Sequence, residues 1–223
     1  MKNFLKTLLP MVGAVALAIT LMPAKVQTQQ AGQIGSAVTV PGIDKPVRVI
    51  RGRFSSDVTL TNDTYWVLRG AVFIVEPARL TIQPGTRIVG ETATRGTLII
   101  DVGAQIIADG TAAAPIVMTS DQAVGTRSRG DWGGLIINGR APINLPGGVG
   151  IGEGSTGVYG GTNPADNSGI LRYVRVEFAG IEFSPDNELN GIAFQGVGSG
   201  TIVDHIQIHF NKDDGIEMFG GTV

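Results

Sequence analysis

The sequence predicts an all-β fold, a right-handed parallel β-helix (β-solenoid), from three observations. Short stretches rich in Val, Ile and Thr follow one another along most of the chain, which is typical of many short strands. The chain has 33 glycines without the three-residue period of collagen, so they indicate many tight turns. Similar apolar motifs also recur, as in repeat proteins whose neighbouring coils bury a shared core.

Residues 1–24 are predicted to be a secretory signal peptide. Lys2 and Lys6 precede an apolar stretch from Leu8 to Leu21 that is too short to span a membrane comfortably. An uncleaved N-terminal anchor is the alternative. The chain has no cysteine, which excludes both lipid attachment through cysteine and disulfide stabilisation. We therefore expect a secreted, extracellular or cell-surface protein, with no transmembrane span after the signal is removed.

The remaining chain is predicted to divide into a linker and one domain. Residues 25–46 are polar and small, as in a flexible linker, and residues 47–223 form the β-helix domain. A Gly-rich stretch near 147–167 is expected to leave the solenoid as a long loop. The formal net charge is −2, and removal of the signal takes away two lysines and no acids. Nucleic acid, which requires a basic surface, is therefore excluded as a partner.

Internal repetition predicts how neighbouring coils stack. The motif that begins at Leu80 resembles the one that begins at Leu98, at an offset of 18 residues. Later offsets are longer: 32 residues from Val176 to Ile208, and 24 from Ile192 to Ile216. Changing offsets indicate constant strands joined by loops of variable length, and parallel crossovers favour the right hand. Coils of roughly 20–25 residues predict about seven to nine of them.

Alternation along a strand predicts which side chains face the core. In the stretch around Val176, this residue and Phe178 are expected to point inward, with Phe178 stacked on Phe210 of the next coil. Glu177 is expected to point outward. The offset of 32 places it beside His209, within reach of an ion pair.

Three motifs carry a resemblance to a known family. They contain Gly130-Asp131-Trp132-Gly133-Gly134, Tyr159-Gly160-Gly161 with Asp166-Asn167-Ser168-Gly169, and Asn211-Lys212-Asp213-Asp214-Gly215. Together they resemble secreted bacterial proteins with right-handed parallel β-helices, often described as lipoproteins or hypothetical surface proteins. The resemblance covers about residues 55–223 and implies fold and export, but no catalytic residues. The lipobox cysteine is missing, and similar sequences continue beyond Val223, so we expect the solenoid to be incomplete at its C-terminal end.

Asp213 and Asp214 are the candidate catalytic residues if the protein is an enzyme. Paired carboxylates on a β-helix are used by glycosidases, in which one acid protonates the leaving oxygen and the other activates water. The competing interpretation is a turn, because Asn and Asp tolerate left-handed backbone geometry and Asp-Gly closes corners. The sequence indicates no other arrangement of catalytic residues.

The candidate metal ligands are acidic side chains in turns. Oxygen atoms from neighbouring coils suit Ca²⁺, which takes six to eight of them. The residues concerned are Asp186, Glu188, Asp213 and Asp214. Because no calcium-loop spacing is present, we expect solvated turns and neither a bound metal nor another cofactor. His205 and His209 are expected to be a surface pair.

Three aromatic residues, Trp132, Tyr159 and Tyr173, are candidates for a platform that binds sugar rings, although packing over a corner is the alternative for Trp132. We therefore expect an exported structural or binding module whose partner is a polysaccharide or a cell-surface protein. The alternative is a polysaccharide lyase or hydrolase that uses acidic residues on the solenoid face. An open C-terminal coil also predicts self-association through unpaired strand edges.

Overall fold

The computed structural model describes residues 30–35, 43–185 and 187–223. The predicted signal peptide lies outside the described residues. Within the predicted linker, the described residues include a short strand, β1 (Gln33–Ile34), which pairs antiparallel with the first long strand of the domain. In the described part of the chain, no helix has the length and apolar character needed to cross a membrane.

Parallel strands stack in three ladders, which we name A, B and C in the order in which each coil visits them. Two long strands contribute to ladders B and C, and two others contribute to ladders A and B, because the chain turns a corner within each of them. These four strands are β2 (Val47–Phe54), β4 (Tyr65–Ile74), β13 (Gly169–Glu177) and β17 (Ile202–His209).

Each ladder also contains strands of its own. Those of ladder A are β3 (Val58–Leu60), β5 (Arg79–Ile82) and β8 (Gln105–Asp109). Those of ladder B are β6 (Arg87–Gly90) and β9 (Ile116–Ser120). Those of ladder C are β7 (Thr97–Ile100), β10 (Gly134–Asn138), β16 (Ile192–Val197) and β18 (Ile216–Gly221).

Small elements fill the corners. Two antiparallel hairpins are formed by β11 (Gly150–Ile151) with β12 (Val158–Tyr159), and by β14 (Glu182–Ser184) with β15 (Asn187–Glu188). Short 3₁₀ turns lie at Thr92–Thr94, Pro146–Gly148 and Glu153–Ser155.

The ladders confirm a parallel β-helix. Ladders B and C each contain six strands in the described part of the chain, fewer than the seven to nine coils predicted. The estimate was wrong because long corner segments between the strands consume residues without adding coils. The right-handed sense stays a prediction.

The register bears out two of the three predicted offsets. Val176 pairs with Ile208 and Ile192 pairs with Ile216, as the offsets of 32 and 24 require. The offset of 18 is wrong, because Leu80 lies in ladder A and pairs with Ile106, whereas Leu98 lies in ladder C. Both strands alternate in the same way and end in a turn with glycine, so their sequences resemble each other although they belong to different faces.

The interior is a continuous apolar column. In ladder C, the inward side chains are in register from one coil to the next; these are Phe54, Ile74, Ile100, Ile137, Phe194 and Met218. Trp132 is also in this core, fully buried, and its indole N–H donates to the carbonyl of Glu177 at 2.7 Å. The last coil is more open, with Met218 61% exposed.

The two phenylalanines after β13 and β17 stack as predicted but do not face the core. The ring centroids of Phe178 and Phe210 are 5.7 Å apart and the planes differ by 9°. Their φ angles are +60° and +53°, so the backbone is left-handed at both positions and the strand alternation ends there. The side chains turn outward at the corner, which leaves Phe210 49% exposed.

Glu177 pairs with His209 in register, but the predicted ion pair does not form. The side chain of Glu177 is buried beneath the segment that joins β9 to β10. Its Oε2 accepts from the Thr119 hydroxyl at 2.9 Å, and its Oε1 lies 2.7 Å from Nε of Arg175. His209 instead lies edge-on to Phe210, with ring centroids 4.2 Å apart.

Replacement of Phe194 by alanine tests the position of the core. Because this side chain is 1% exposed, we expect its loss to leave a cavity and to reduce the free energy of unfolding by about 3–5 kcal/mol. Phe210→Ala is the matched control and should cost about 1 kcal/mol, because its ring is half in solvent already. Equal losses in urea denaturation would contradict the assignment of these two rings to the inside and the outside.

Candidate functional site

The outer face of ladder C carries opposite charges at its two ends. The outward side chains in register with one another are Arg53, Phe73, Ile99, Ile136, Ala193 and Glu217. We call this set the outer row. Arginines surround its first members and carboxylates surround its last, while the middle is apolar. The row therefore has a basic end and an acidic end, which we describe in turn.

A groove lies at the basic end. It consists of a cavity of about 380 Å³ and a neighbouring one of about 220 Å³, which share the residues Ala71, Phe73 and Thr94. Its charged and aromatic lining residues are Arg51, Arg53, Arg69, Arg95, Phe73 and Phe183. We call this the arginine groove.

The local sequence explains why arginines gather there. An Arg-Gly dipeptide occurs where each of the first coils passes from ladder B to ladder C, at Arg51, Arg69 and Arg95. Gly52 and Gly70 have φ angles of +83° and +64°, which glycine adopts without strain and which allow the sharp turn between the two faces. The preceding arginine is therefore placed at the outer edge of the corner in successive coils.

Two of the four arginines that line the groove form ion pairs with carboxylates. NH2 of Arg53 lies 2.9 Å from Oδ2 of Asp101, and its guanidinium carbon is 4.4 Å from the ring centroid of Phe73. Arg69 donates to both carboxylate oxygens of Glu91, with a shortest contact of 2.7 Å. The hydrogen bonds from Arg69 hold the pKa of Glu91 below its ordinary value, although burial opposes this.

The other two arginines have neutral neighbours in the described contacts. Arg51 donates twice to Oε1 of Gln33, at 3.0 and 2.6 Å. Arg95 has a left-handed backbone, with φ of +57°, and its guanidinium carbon lies 5.2 Å from the ring centroid of Phe183. Both arginines are exposed, so each guanidinium retains N–H groups for an anion.

The acidic end contains two half-buried glutamates that sequence reasoning missed, Glu153 and Glu217. Burial raises the pKa of Glu217, and Asp214 and Asp213 raise it further, while a hydrogen bond from Asn190 lowers it. The bond joins Nδ2 of Asn190 to Oε2 of Glu217 at 2.6 Å.

Glu153 lies in the Gly-rich loop and faces the same group of acids. Burial raises the pKa of Glu153, and the charges of Glu217, Asp213 and Glu188 raise it further. The loop thus brings a carboxyl group to the face of ladder C, and the excess negative charge favours the neutral form of both glutamates.

Between the two ends, the Gly-rich loop lies over a pair of buried amides. Asn138 and Gln195 pair in register on the outer face and are 0% and 1% exposed. Nδ2 of Asn138 donates to the carbonyl of Thr156 at 3.0 Å. A Cβ added to Gly152 would meet Oε1 of Gln195 at 2.3 Å, so only glycine allows the loop to pack so closely. The loop thus packs against the outer face of ladder C.

Asp213 and Asp214, the predicted catalytic pair, are exposed in the turn before β18. The carbonyl of Asp214 accepts from the backbone N–H of Gly191 in the preceding coil at 3.0 Å. Glu188, a candidate metal ligand, lies in the hairpin beside the same acids. Asp186, the remaining candidate, lies outside the described residues. In the ranges that the structure describes, no three His, Asp or Glu residues are arranged to hold a metal ion.

The three aromatic candidates do not form one platform. Trp132 is in the core, so its ring is not accessible to a sugar, and the alternative of packing at a corner holds. Tyr159 is 4% exposed and meets Phe219 edge-on with centroids 6.1 Å apart. Tyr173 lies at another corner, stacked on His205 at 4.3 Å.

Sequence reasoning missed the arginine groove because it searched for acids and for Trp and Tyr. A signal was nevertheless present in the Arg-Gly dipeptide, which recurs at 51–52, 69–70, 95–96 and 129–130. Glu153 and Glu217 carry no comparable signal, because they meet only after the loop has folded back onto ladder C.

Comparison with known proteins is consistent with this architecture. A family model described as a pectate-lyase-like β-helix domain matches residues 52–223, which include all three ladders. No curated protein and no solved structure matches the sequence.

The pH dependence of stability tests the environment of Glu217. A raised pKa means that the native state binds the proton more tightly than the unfolded chain does. The free energy of unfolding should therefore fall as the pH rises from the ordinary value of 4.5 through the raised native value. Glu217→Gln removes this loss, so the variant should gain stability relative to wild type at neutral pH but not at pH 4.

Glu91→Gln is the control of opposite sign. Because the native pKa of Glu91 is lowered, its ionised form stabilises the protein above pH 4.5, and this contribution is lost in acid. The variant should be less stable than wild type at neutral pH and equal to it at low pH. Parallel pH profiles for the two variants in urea denaturation would contradict both assignments.

Proposed function

Because the chain belongs to the family of pectate-lyase-like β-helix domains, we propose that it is an exported module that binds an acidic polysaccharide in the arginine groove. The family description supports a polysaccharide-related role, and the groove supplies the chemistry. The predicted signal peptide supports export to the cell surface or the medium. Binding without catalysis is the primary role in this proposal.

The observation that carries the proposal is the alternation of guanidinium groups and phenyl rings in one groove. A guanidinium group binds carboxylate or sulfate through two parallel N–H donors. A phenyl ring offers a flat apolar surface to the C–H face of a sugar ring. Arg53 lies over Phe73, and Arg95 lies beside Phe183 of the β14–β15 hairpin, so the combination occurs twice along the groove.

The dimensions of the groove agree with this role. The larger cavity, at about 380 Å³, is within the roughly 300–1,000 Å³ that is common for ligand sites. Successive coils are spaced by about 4.8 Å, so the groove presents its cations along the axis at regular intervals. A linear polyanion that lies along the corner meets several of them at once.

A lyase or hydrolase is the second candidate, and one observation favours it. The pKa of Glu153 and that of Glu217 are both raised by burial and by neighbouring acids, which is the direction of shift that a general acid requires. These residues replace Asp213 and Asp214 as the better candidates. Glu217 lies at the opposite end of the outer row from Arg53, whereas Glu153 directly precedes Gly154 and Ser155, which line the smaller cavity of the groove.

The remaining expectations about partners belong to the same proposal. A cell-surface protein is the other partner class that an exported binding module suggests. Self-association through the last coil stays a prediction, and the exposure of Ile216 and Met218 supports it.

Removal of two cations from the groove tests the proposal. The double variant Arg51→Gln/Arg95→Asn removes the two guanidinium groups with neutral neighbours, and asparagine suits the left-handed backbone at position 95. We expect the affinity for a polyuronate to fall about 30-fold in calorimetric titration at about 0.1 M salt, at roughly 1 kcal/mol for each contact.

The matched control is Arg79→Gln/Arg87→Gln, which changes the net charge equally but on the outer faces of ladders A and B. It should bind within about twofold of wild type, because steering by net charge is screened beyond about 10 Å at 0.1 M salt. A similar loss in both double variants would show that the polymer responds to overall charge and does not occupy the groove.

An assay of polysaccharide cleavage separates binding from catalysis. We expect neither new reducing ends nor unsaturated products when the protein is incubated with a polyuronate that it binds. Turnover that disappears in Glu217→Gln, with binding intact, would replace the binding module with the enzyme as the function.

A further inference from the structure

A second pocket lies farther along the same corner, where the fourth Arg-Gly dipeptide occurs at Arg129 and Gly130. Its volume is about 520 Å³, and it is lined by Arg127, Ser128, Arg129, Phe178 and Phe210. We propose that this pocket is a separate binding site for a sugar that bears a carboxylate or sulfate group. Its assignment depends on its own residues and does not require that the arginine groove bind anything.

The aromatic wall of the pocket is built by two consecutive coils. Phe178 and Phe210 stack nearly parallel at the ends of β13 and β17, as described above, and the backbone N–H of Phe178 donates to the carbonyl of His209 at 3.0 Å. This bond continues the ladder past the corner and fixes the position of one ring relative to the other. Phe210 follows β17, the last described strand of ladder B, so no described coil covers its ring, which is half-exposed.

The cationic wall is the segment that joins β9 to β10. The guanidinium carbon of Arg127 lies 5.9 Å from the ring centroid of Phe178, and that of Arg129 lies 5.3 Å from the ring centroid of Phe210. One segment therefore supplies both cations, and two coils supply the rings that they contact.

The two arginines differ in how much of their hydrogen-bonding capacity is used. Nε of Arg127 donates to the carbonyl of Gln122 at 3.0 Å, and its NH1 lies 4.0 Å from Oε2 of the buried Glu177. Arg129 is exposed and donates through NH1 to the carbonyl of Asn211 at 2.6 Å. No carboxylate forms an ion pair with Arg129 in the described part of the chain, so its charge is available to a ligand.

The segment is held in place before any ligand arrives. Oδ2 of Asp131 accepts from the Ser120 hydroxyl at 2.6 Å and from the backbone N–H of Ser128 at 2.9 Å. The backbone N–H of Gly130 donates to the carbonyl of Ala179 at 3.0 Å. Because these contacts fix the segment, little conformational entropy is lost on binding, which favours affinity.

The chemistry selects an anionic ring. Arginine side chains favour a ligand with a negative group, and the exposed part of the Phe210 ring favours an apolar surface next to that group. A sugar whose ring carries a charged substituent has both. A neutral sugar leaves the cations unused, whereas a small inorganic anion leaves the ring unused. Carboxylate and sulfate both fit the guanidinium groups, so the experiment must distinguish a uronic acid from a sulfated sugar.

The position of the pocket implies that one polymer chain occupies both sites. Phe178 follows β13, which lies three ladder steps from β4 in the arginine groove. At about 4.8 Å for each step, the two sites are about 14 Å apart along the axis. A chain bound at one site therefore presents a high local concentration of anions to the other.

Titration of short oligosaccharides tests the site. The probes are a uronic acid trisaccharide, a sulfated trisaccharide of similar length and an uncharged one. Because the arginine groove is proposed to bind the same anions, the titrations should use the groove variant Arg51→Gln/Arg95→Asn as the parent protein. We expect one of the charged probes to bind this background at low salt, and the uncharged one to bind at least about tenfold more weakly.

Two variants in the same background assign this binding to the pocket. Arg129→Gln and Phe210→Leu should each weaken the charged probe about tenfold, and Arg79→Gln should not. Circular dichroism and the melting temperature show whether each variant folds. Since Arg129 lies on the surface, its replacement remains informative even if Phe210→Leu is unstable. Unchanged affinity in Arg129→Gln, or equal binding of the uncharged probe, would overturn the proposal.

Chain length distinguishes this proposal from the function proposed above. A long polyanion should bind wild type about tenfold or more tightly than the trisaccharide does, and Arg129→Gln should remove that gain. Loss of all binding in the groove variant, with Arg129→Gln equal to wild type, supports the groove and rejects the second site. The reverse pattern supports the pocket and rejects the groove.

Discussion

The in-register parallel pairing of successive coils is the constraint on which the rest of the structure depends. Because side chains alternate between the two faces of a strand, residue-for-residue pairing places inward side chains beside inward ones and outward side chains beside outward ones in every coil. The result in ladder C is an inner row that runs from Phe54 to Met218 and an outer row that runs from Arg53 to Glu217. One set of hydrogen bonds thus determines both the core and the arrangement of charges on the surface.

Regular alternation of side chains ends at the corners between ladders. Most of the errors in the sequence-based prediction occur there. The fold and the registers at offsets of 32 and 24 could be predicted, since strands of constant length repeat their inward residues. Phe178 and Phe210 were misplaced because a left-handed residue at the end of a strand reverses the side-chain direction, and nothing in the local pattern marks that reversal. The offset of 18 misled for a related reason, because alternation followed by a glycine turn describes strands of two different faces equally well.

The candidate site was less predictable than the fold. Asp213, Asp214, Glu188 and Tyr159 lie near the acidic end of the outer row, and their role stays a prediction. The two carboxyl groups whose pKa is raised are nevertheless those of Glu153 and Glu217. These two residues are 64 positions apart in sequence, and the contact that joins them depends on a loop whose path alternation does not specify. Trp132 shows the opposite error: a residue type common at binding surfaces is used here to fill the core.

The passage from ladder B to ladder C differs in length from coil to coil. It is the dipeptide Arg69-Gly70 in one coil, thirteen residues (121–133, with Arg127 and Arg129) in another and fourteen (178–191) in the next. Adding residues here costs only loop-closure entropy, which grows slowly with length, whereas one residue added inside a strand would reverse every side chain after it. The length and sequence of this corner can therefore change without altering the packing of the core. Insertions at this corner provide a route by which such a solenoid acquires new binding specificity during evolution while the strand pattern that determines its fold stays the same.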